Sequence, residues 1–570
     1  MLFLGGALTT WSAEGLQWGH VFATTNPEPD GSGAPFQDSP AGVAVDGTGN
    51  VYVAATGYGI DSVADVIIYK LSPAGVTLWM RSYYLWAGGE ECAVALALDG
   101  AGNPCVAAIT EGPEHTQDIL LLKYDPEGSL TGVAAFDFLG GRDEVTDMAL
   151  DRQDNIYLAG STRGTNGHSS ALLLKYDSTT RFEWAAVYQG RARDHGANAL
   201  AVDALGNAYV TGWMGASCST NTSGERRCRT DVLTAKFDTT GRQVWGARHN
   251  GTPGRDDEGQ AIVVDEAGQV YVAGMSEARG QRQDWVTLKY SNTGRLRWVA
   301  RHHDGTTAGG ATCVLLGTKG EVYVGGSRAT VVKYSGAGRK VWETAAGVFG
   351  SALKALQFDA AGFLYCAGSE TYPAGNPYFL MAQIDPQDGT VLWSGRTATE
   401  SDRSENAVAA AVTPAGEVVV SGISRTSVKP DFDVATVKFQ AAASWDLPRV
   451  NVTAVAPSAR EGASGDAATA TFALWRAGPT NQTLHVGFYV GGTAKYLLDY
   501  EPMPGLLGEG YGVLPIPAGA TYALLQVRAR RDRVSERTET VRVTIDGGSL
   551  SAGRYLRGES YGAVARILDN

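Results

Sequence analysis

The sequence has no apolar run long enough to cross a membrane and no run of lysine or arginine. A membrane-spanning helix needs about 20 predominantly apolar residues, and no stretch approaches that length. The chain carries 60 acidic against 47 basic residues, a formal net charge of -13, which argues against a nucleic-acid partner. An acidic excess suits divalent cations, but it is also ordinary for a soluble protein of this size, so both interpretations stay open.

Cysteine is scarce, with six in 570 residues. Cys218 and Cys228 flank a short polar segment and have a spacing that can close a small disulfide; the alternative is two solvated thiols. Export from the cell would favour the disulfide. Residues 1–13 resemble the end of a signal peptide that lacks its basic leading region, and therefore predict export. The other cysteines lie in apolar strand patterns and are expected to be buried: Cys92, Cys105, Cys313 and Cys366.

Recognisable catalytic motifs are missing. The sequence has no nucleophile elbow, phosphate-binding loop, zinc-binding helix motif or haem-attachment motif. His302, His303 and Asp304 are adjacent and could ligate a metal, but two neighbouring histidines without a third placed ligand are more typical of a solvated loop. We therefore predict no catalytic residue.

What the chain has in abundance is glycine, tyrosine and tryptophan, with 73, 24 and 13 copies, as expected of an all-β protein rich in turns. A unit of roughly fifty residues recurs eight times. Each copy has a short apolar strand, a turn of the form Asp-x-x-Gly-Asn and a second strand, which predicts a hairpin. The turns begin at Asp46, Asp99, Asp151, Asp203, Asp265, Gly317, Asp359 and Thr413.

A second hairpin follows in each copy, and its lysine and tryptophan keep a fixed spacing. Nine residues separate Lys70 from Trp79 and Lys236 from Trp245, and the same spacing recurs in other copies. Four antiparallel strands repeated around an axis make the blades of a β-propeller, in which neighbouring blades bury one another's apolar faces. We expect the tryptophans to pack between blades. The copy around Gly317 and Arg328 is short, which predicts a trimmed outer loop.

The last copy lacks a fourth strand, and residues 14–22 match a fourth strand without the other three. The two ends are therefore expected to complete one blade and remove the open sheet edges. The sequence thus predicts an all-β chain with an eight-bladed β-propeller over residues 14–445, closed by its N-terminal strand.

The repeats resemble those of the SBBP family of bacterial propeller repeats, with the pattern Asp-x-x-Gly-Asn-x-Tyr-Val followed by Asp-x-x-x-x-Lys-Tyr-Asp. The resemblance covers about residues 14–440 and implies an exported interaction or scaffold protein, without implying a reaction. One segment, Asp385–Trp393, is similar to the tryptophan-docking motif of quinoprotein dehydrogenases, which are the main enzymatic alternative. No vicinal cysteine pair accompanies it.

Residues 446–570 resemble a Calx-beta domain, which implies an immunoglobulin-like β-sandwich. The resemblance rests on the landmarks Gly491–Ala494, Ile516–Gly519 and Glu539–Val541, among others. It implies a calcium site, and calcium is the one cofactor that we expect. However, Arg530 and Arg531 occupy positions where the family has consecutive aspartates, so the alternative is that the same carboxylates serve turns and salt bridges. The carboxylates that match the family's calcium ligands are Glu461, Asp499, Asp532, Glu536 and Asp569.

An acidic residue recurs about eight positions before each turn aspartate, where the first strand of a blade starts. These residues predict an acidic mouth of the propeller, which would bind cations or polar ligands such as glycans; the alternative is that each carboxylate accepts hydrogen bonds within its own blade. The set comprises Asp38, Glu91, Asp143, Asp194, Asp257 and Glu405. Aspartates also recur at the starts of the third strands: Asp65, Asp118, Asp231, Asp284 and Asp433.

Together these patterns predict an exported, non-catalytic binding or scaffold protein, calcium-stabilised and monomeric, that contacts a protein or glycan at the cell surface. The alternatives are a carbohydrate-binding or carbohydrate-active propeller and a quinoprotein-like enzyme.

Overall fold

The computed structural model describes most of the two units into which the chain divides. Unit 1 spans Met1–Ala441 and unit 2 spans Ala442–Asn570. The residues described are 6–7, 16–22, 38–58, 63–85, 89–111, 116–164, 167–190, 194–220, 226–251, 255–278, 283–305, 309–346, 352–371, 377–397, 403–413, 415–426, 433–440, 448–478, 480, 482–503, 505–508, 510–531, 537–545, 555–557, 560 and 562–569.

Unit 1 consists of eight antiparallel sheets within the described residues. The first strands are β1 (Gly6–Ala7) and β2 (Leu16–Phe22), which belong to sheet 8. Sheet 1 contains β3 (Ser39–Val45), β4 (Val51–Tyr58), β5 (Ala64–Leu71) and β6 (Thr77–Tyr83). Sheet 2 contains β7 (Glu91–Leu98), β8 (Pro104–Glu111), β9 (Gln117–Tyr124) and β10 (Leu130–Phe136). Sheet 3 contains β11 (Arg142–Leu150), β12 (Ile156–Arg163), β13 (Ser169–Tyr176) and β14 (Phe182–Val187). Sheet 4 contains β15 (His195–Val202), β16 (Ala208–Thr220), β17 (Arg226–Phe237) and β18 (Gln243–His249).

The remaining sheets of unit 1 follow the same order. Sheet 5 contains β19 (Asp257–Val264), β20 (Val270–Glu277), β21 (Gln283–Tyr290) and β22 (Leu296–His302). Sheet 6 contains β23 (Ala311–Leu316), β24 (Val322–Gly326), β25 (Thr330–Tyr334) and β26 (Lys340–Ala345). Sheet 7 contains β27 (Ala352–Phe358), β28 (Leu364–Thr371), β29 (Pro377–Ile384) and β30 (Val391–Arg396). Sheet 8 adds β31 (Arg403–Val412), β32 (Glu417–Thr426) and β33 (Asp433–Gln440) to β1 and β2.

Every sheet is a meander, and the first strands of neighbouring sheets pack together in chain order around the unit, with β31 against β3. This arrangement is a β-propeller. Each first strand has a β-bulge near its middle, for example between Val145 and Asp147 in β11. A bulge increases the local twist of a strand, and its repetition gives every sheet the same bend next to the axis.

The repeat aspartate builds the turn between the first two strands of a sheet. In sheet 4, Asp203 Oδ1 accepts the amides of Leu205 and Asn207, both at 2.9 Å. Its Oδ2 accepts the Asn207 side chain at 2.8 Å and the Tyr209 hydroxyl at 2.9 Å. Gly206, at φ 81°, completes the turn in the left-handed region that glycine adopts without strain. The motif Asp-x-x-Gly-Asn-x-Tyr is therefore a structural unit, with each polar atom used locally.

The repeat tryptophan and lysine connect one sheet to the next. Trp79 Nε1 and Lys70 Nζ both donate to the Pro126 carbonyl in the last turn of sheet 2, at 2.9 Å and 3.1 Å. The Trp79 ring lies over Gly128 in the same turn, so closely that a Cβ on this glycine would be 2.7 Å from the ring. The fixed lysine-to-tryptophan spacing thus serves packing between blades, as predicted.

Ring closure uses the same contacts. Strand β2 pairs with β33 in antiparallel register from Leu16↔Phe439 to Phe22↔Val434. Trp18 Nε1 and Lys438 Nζ, from the two ends of unit 1, both donate to the Pro73 carbonyl in sheet 1, at 2.9 Å and 3.3 Å. The N-terminal strand therefore supplies the fourth strand that the last repeat lacks.

The trimmed loop expected near Arg328 is also present. Strands β24 and β25 have only five residues each, and Arg328 and Ala329 connect them with φ angles of 58° and 47°. Two consecutive residues with positive φ are typical of the tight type I′ turn.

Unit 2 has two sheets. One has the strand order β40-β36-β34-β42 and the other β35-β43-β41-β37-β39-β38. The strands are β34 (Arg449–Ala456), β35 (Ser458–Arg460), β36 (Thr469–Ala477), β37 (Leu484–Gly492), β38 (Leu506–Gly508), β39 (Tyr511–Ile516), β40 (Tyr522–Arg528), β41 (Glu539–Ile545), β42 (Leu556–Arg557) and β43 (Gly562–Leu568), with a 3-10 turn at Gly465–Ala468.

Both sheets of unit 2 contribute to one apolar core. Phe472 and Leu525 from the first sheet share it with Phe488, Val543 and Ile567 from the second. Alternate residues of these strands face inward, as expected where each sheet buries one face. Within the described part of the whole chain, no helix is long and apolar enough to span a membrane.

Candidate functional site

The predicted acidic residues at the starts of the first strands lie inside the protein. Asp38, Glu91, Asp143, Asp257 and Glu405 are at most 2% exposed, which excludes an open ring of carboxylates on the surface. Asp194 is half-buried and its Oδ1 lies 3.0 Å from His168 Nδ1.

These carboxylates accept hydrogen bonds from neighbouring backbone and hydroxyl groups. Asp38 accepts the Tyr58 amide at 3.2 Å, and Glu91 accepts the Thr110 hydroxyl at 2.9 Å. Asp257 accepts the Gly251 amide at 2.7 Å. Burial raises the pKa of Asp257 despite these donors. Most of this set therefore fixes the first strand of its own sheet.

Two of the aspartates at the starts of the third strands have a different contact, with an arginine on the fourth strand. Asp231, which is fully buried, forms an ion pair with Arg248 of β18, and Asp284 lies 4.0 Å from Arg301 of β22. Arg248 and Arg301 each lie three residues after the repeat tryptophan, whereas the corresponding residues of sheets 1 and 2 are Ser82 and Ala135, so only some sheets have this counter-charge.

We expect Arg248→Ala to lower the free energy of unfolding by about 1–2 kcal/mol at pH 7, because it leaves the buried Asp231 carboxylate without its partner. Burial already raises the pKa of Asp231 and Arg248 opposes that shift, so the variant will have a still higher pKa there. The loss in the free energy of unfolding is therefore largest above the pKa of Asp231 in the variant, and it becomes smaller at lower pH as the carboxylate is protonated. Denaturant unfolding from pH 4 to 8 checks both points. Arg242→Ala, which removes only the exposed pair with Asp238, is the control and should change stability by less than about 0.5 kcal/mol.

Between sheets 2 and 3 three carboxylates meet without such an arginine. Oxygen atoms of Asp118, Asp137 and Asp143 lie within 4.8 Å of one another, the one such group of three potential metal ligands in the described residues. Asp118 starts β9, Asp137 follows β10, and Asp143 lies in β11. Burial, with the charges of Asp137 and Asp143, raises the pKa of Asp118 to about 6.

In unit 2, the structure describes three of the five predicted calcium ligands. Glu461 and Asp499 are buried, Asp569 is half-buried, and Asp532 and Glu536 lie outside the described residues. The Glu461 amide donates to the Leu568 carbonyl at 3.0 Å, which puts Glu461 next to the strand end that precedes Asp569.

Asp499 lies in a turn that Arg530 also contacts. Asp499 accepts the amide of Lys495 through its side chain and that of Arg530, at 2.9 Å, through its carbonyl. The Arg530 guanidinium donates to the Leu497 carbonyl. Arg530 is thus engaged with the backbone of the same turn. Arg531 is exposed.

The segment with Cys218 and Cys228 continues the hairpin of sheet 4. Strands β16 and β17 have 13 and 12 residues, whereas the second and third strands of the other sheets have 5 to 10. The two cysteines face each other in the strand register. Directly opposed residues in antiparallel strands have Cα atoms about 4.5–5.5 Å apart, within the range that a disulfide spans. The side chains of residues 216–228 are outside the described part of the chain.

Sequence reasoning identified Asp118 and Asp143 but missed Asp137. The available signal was in the repeat alignment, because Ala135 and Asp137 occupy the positions of Arg248 and Asn250 in sheet 4. One substitution removes a positive charge and the other adds a negative charge.

No protein-family model and no curated protein matches the sequence. Among solved structures, the chain is similar to the C-terminal WD40 domain of Sif2, with 11% identity, 71% of this chain and 97% of that chain covered, and a TM-score of 0.41. BamB from Moraxella catarrhalis has 12% identity, coverages of 71% and 99%, and a TM-score of 0.39. The apo-form Calx CBD1 domain has 18% identity over 22% of this chain and 98% of that one, with a TM-score of 0.17. None of these matches shows the family of the chain.

Proposed function

We propose that the protein is an exported, non-catalytic binding or scaffold protein of the cell surface, built from an eight-bladed SBBP-type propeller and a Calx-beta-like, immunoglobulin-like sandwich. The propeller fold is consistent with such a role. Support comes from the repeat pattern, from the structural use of the turn aspartates within their own turns, and from the absence of a catalytic motif in the sequence.

The observation that carries the proposal is the long hairpin of β16 and β17. It extends one sheet of an otherwise regular ring by several residue pairs, from Gly215↔Thr230 to Thr220↔Arg226. Packing between sheets does not require this extension, since the second and third strands of the seven other sheets have 5 to 10 residues in the part of the chain that the structure describes. An irregular projection on a rigid scaffold is a common position for recognition of a partner protein or glycan.

The test removes the projection and leaves the ring intact. Residues 216–229 are replaced by Asn-Gly, which closes a two-residue hairpin turn after Gly215. We expect unchanged thermal unfolding and loss of binding to intact bacterial cells and to a glycan array, both measured with labelled protein. Retained binding would contradict the assignment of the hairpin, and turnover of a polysaccharide by the parent protein would favour the carbohydrate-active alternative.

Export has its own test in the two cysteines. In protein secreted from a bacterial host, we expect peptide mapping without reduction to recover Cys218 and Cys228 in one disulfide-linked pair, because oxidising compartments maintain such bonds. Recovery of both as free thiols would argue against an extracellular location. Cys105 and Cys366 are buried, and burial raises the pKa of both thiols to about 12, so they are the internal control for unreactive cysteines.

Calcium stabilisation is the remaining part of the proposal, with Glu461, Asp499, Asp532, Glu536 and Asp569 as the ligands that the resemblance implies. The burial of Glu461 and Asp499 supports it only in part, since the Asp499 side chain already accepts the Lys495 amide.

A further inference from the structure

Asp118, Asp137 and Asp143, between sheets 2 and 3, are the one group of three potential metal ligands in the part of the chain that the structure describes. In unit 1 the turn aspartates and most carboxylates at the strand starts have hydrogen-bond donors of their own. Asp118 Oδ1 and Asp143 Oδ1 are inaccessible to solvent and have no hydrogen-bond partner; the same holds for Asp231 Oδ1 and Asp284 Oδ1, but each of those two aspartates has an arginine within 4.0 Å. Asp143 is 0% exposed as a whole residue. One carboxylate oxygen each of Asp118, Asp137 and Asp143 lies within 4.8 Å of the other two.

The junction between sheets 4 and 5 provides a direct comparison. Asp231 and Asp257 correspond there to Asp118 and Asp143, and the Gly251 amide donates to Asp257 as the Phe138 amide donates to Asp143. Arg248 pairs with Asp231. The backbone geometry is therefore shared, and the difference lies in the charges.

Two residues make that difference. Ala135 stands where sheet 4 has Arg248, and Asp137 stands where it has Asn250. The junction between sheets 2 and 3 consequently has one positive charge fewer and one negative charge more. Arg142, the residue before Asp143, does not compensate, because its Nε donates to Gln117 at 2.8 Å and its guanidinium pairs with Glu144 at 2.9 Å.

We propose that Asp118, Asp137 and Asp143 bind a hard divalent cation of the calcium class, which provides the positive charge that an arginine provides in sheets 4 and 5 and links sheets 2 and 3. Carboxylate oxygens are the ligands that calcium prefers, and three aspartates offer up to six of them. The inference does not depend on the proposed function and concerns a different place from the carboxylates of unit 2.

Calorimetric titration of calcium chloride into the chelator-treated full chain tests it, with magnesium chloride as the comparison. Two variants remove the site in opposite ways. Asp137→Asn introduces the residue that sheet 4 has at position 250, and Ala135→Arg introduces the arginine that sheets 4 and 5 have at the corresponding position. We expect each to abolish one binding event, or to weaken it at least tenfold, and to eliminate the calcium-dependent rise in the unfolding temperature of unit 1.

Thermal unfolding in chelator verifies that each variant is folded, and Ala135→Arg should unfold at a higher temperature than the parent because it neutralises Asp118. Asp125→Asn, in an exposed turn of the same sheet, is the matched control and should bind calcium like the parent. Unchanged calcium binding by both site variants would overturn the inference and assign any observed binding to other carboxylates, including those of unit 2. An absence of calcium binding by the parent chain would overturn it as well.

Discussion

Deletion of residues 1–22 is expected to destabilise unit 1 by about 5 kcal/mol or more and to make the protein aggregate. The deletion removes Phe22, which is fully buried and packs against Tyr69 with ring centroids 5.8 Å apart. Truncation of a buried Phe alone costs about 3–5 kcal/mol. The deletion also removes the β2 ladder and leaves β33 as an unpaired edge, which invites intermolecular pairing.

Such a loss is comparable with the whole stability of an ordinary domain, about 5–15 kcal/mol. Denaturant unfolding and light scattering measure the two effects. Deletion of residues 1–7 is the control, since it removes only the two-residue β1 and leaves β2 in the sheet. A monomeric Δ1–22 protein that unfolds like the parent would show that the ring does not need its N-terminal strand.

Gly128→Ala is expected to lower the free energy of unfolding by about 2–5 kcal/mol, and Gly102→Ala by about 1–2 kcal/mol. Both glycines have a left-handed backbone, with φ angles of 84° and 82°, so both variants carry the cost of a side chain in that region. They differ in their surroundings, because a Cβ at Gly102 meets nothing within 4 Å whereas one at Gly128 meets the Trp79 ring at 2.7 Å. The difference between the variants therefore measures the overpacking, about 1–3 kcal/mol.

Chemical denaturation of the two variants under the same conditions gives this difference. The double variant Gly128→Ala/Trp79→Phe has a smaller ring and therefore space for the methyl group. It should recover part of the stability that Gly128→Ala loses beyond Gly102→Ala. Equal losses for Gly128→Ala and Gly102→Ala would contradict the stacking of the tryptophan on the turn of the next sheet.

The repeat made the propeller predictable because its signals are local. Asp203 and Asn207 lie within one turn, and the spacing from Lys70 to Trp79 fixes the register of one hairpin. The N-terminal closing strand was also predictable, since Trp18 matches the tryptophan position of the repeat.

Contacts between different repeats could not be predicted in the same way. Whether Asp118 and Asp143 meet depends on how two sheets twist past each other, and no spacing within a repeat encodes that. The burial of Asp38 and Glu91 depends likewise on the packing of the first strands around the axis. The sequence alone left open whether these residues form an acidic mouth or accept hydrogen bonds within their own blades. The length of the β16–β17 hairpin could not be predicted either, because its polar residues mask a strand pattern.

Hydrogen–deuterium exchange of the intact chain tests the central claim, that the propeller is closed by its own first strand. Amides in hydrogen-bonded strands exchange only when the structure opens, at rates that report the local free energy of opening. We predict that peptides covering residues 16–22 and 433–440 exchange slowly and at similar rates, like those of β5 and β9. Exchange of residues 16–22 within seconds, with residues 433–440 only partly protected, would contradict closure and leave the ring with an open edge.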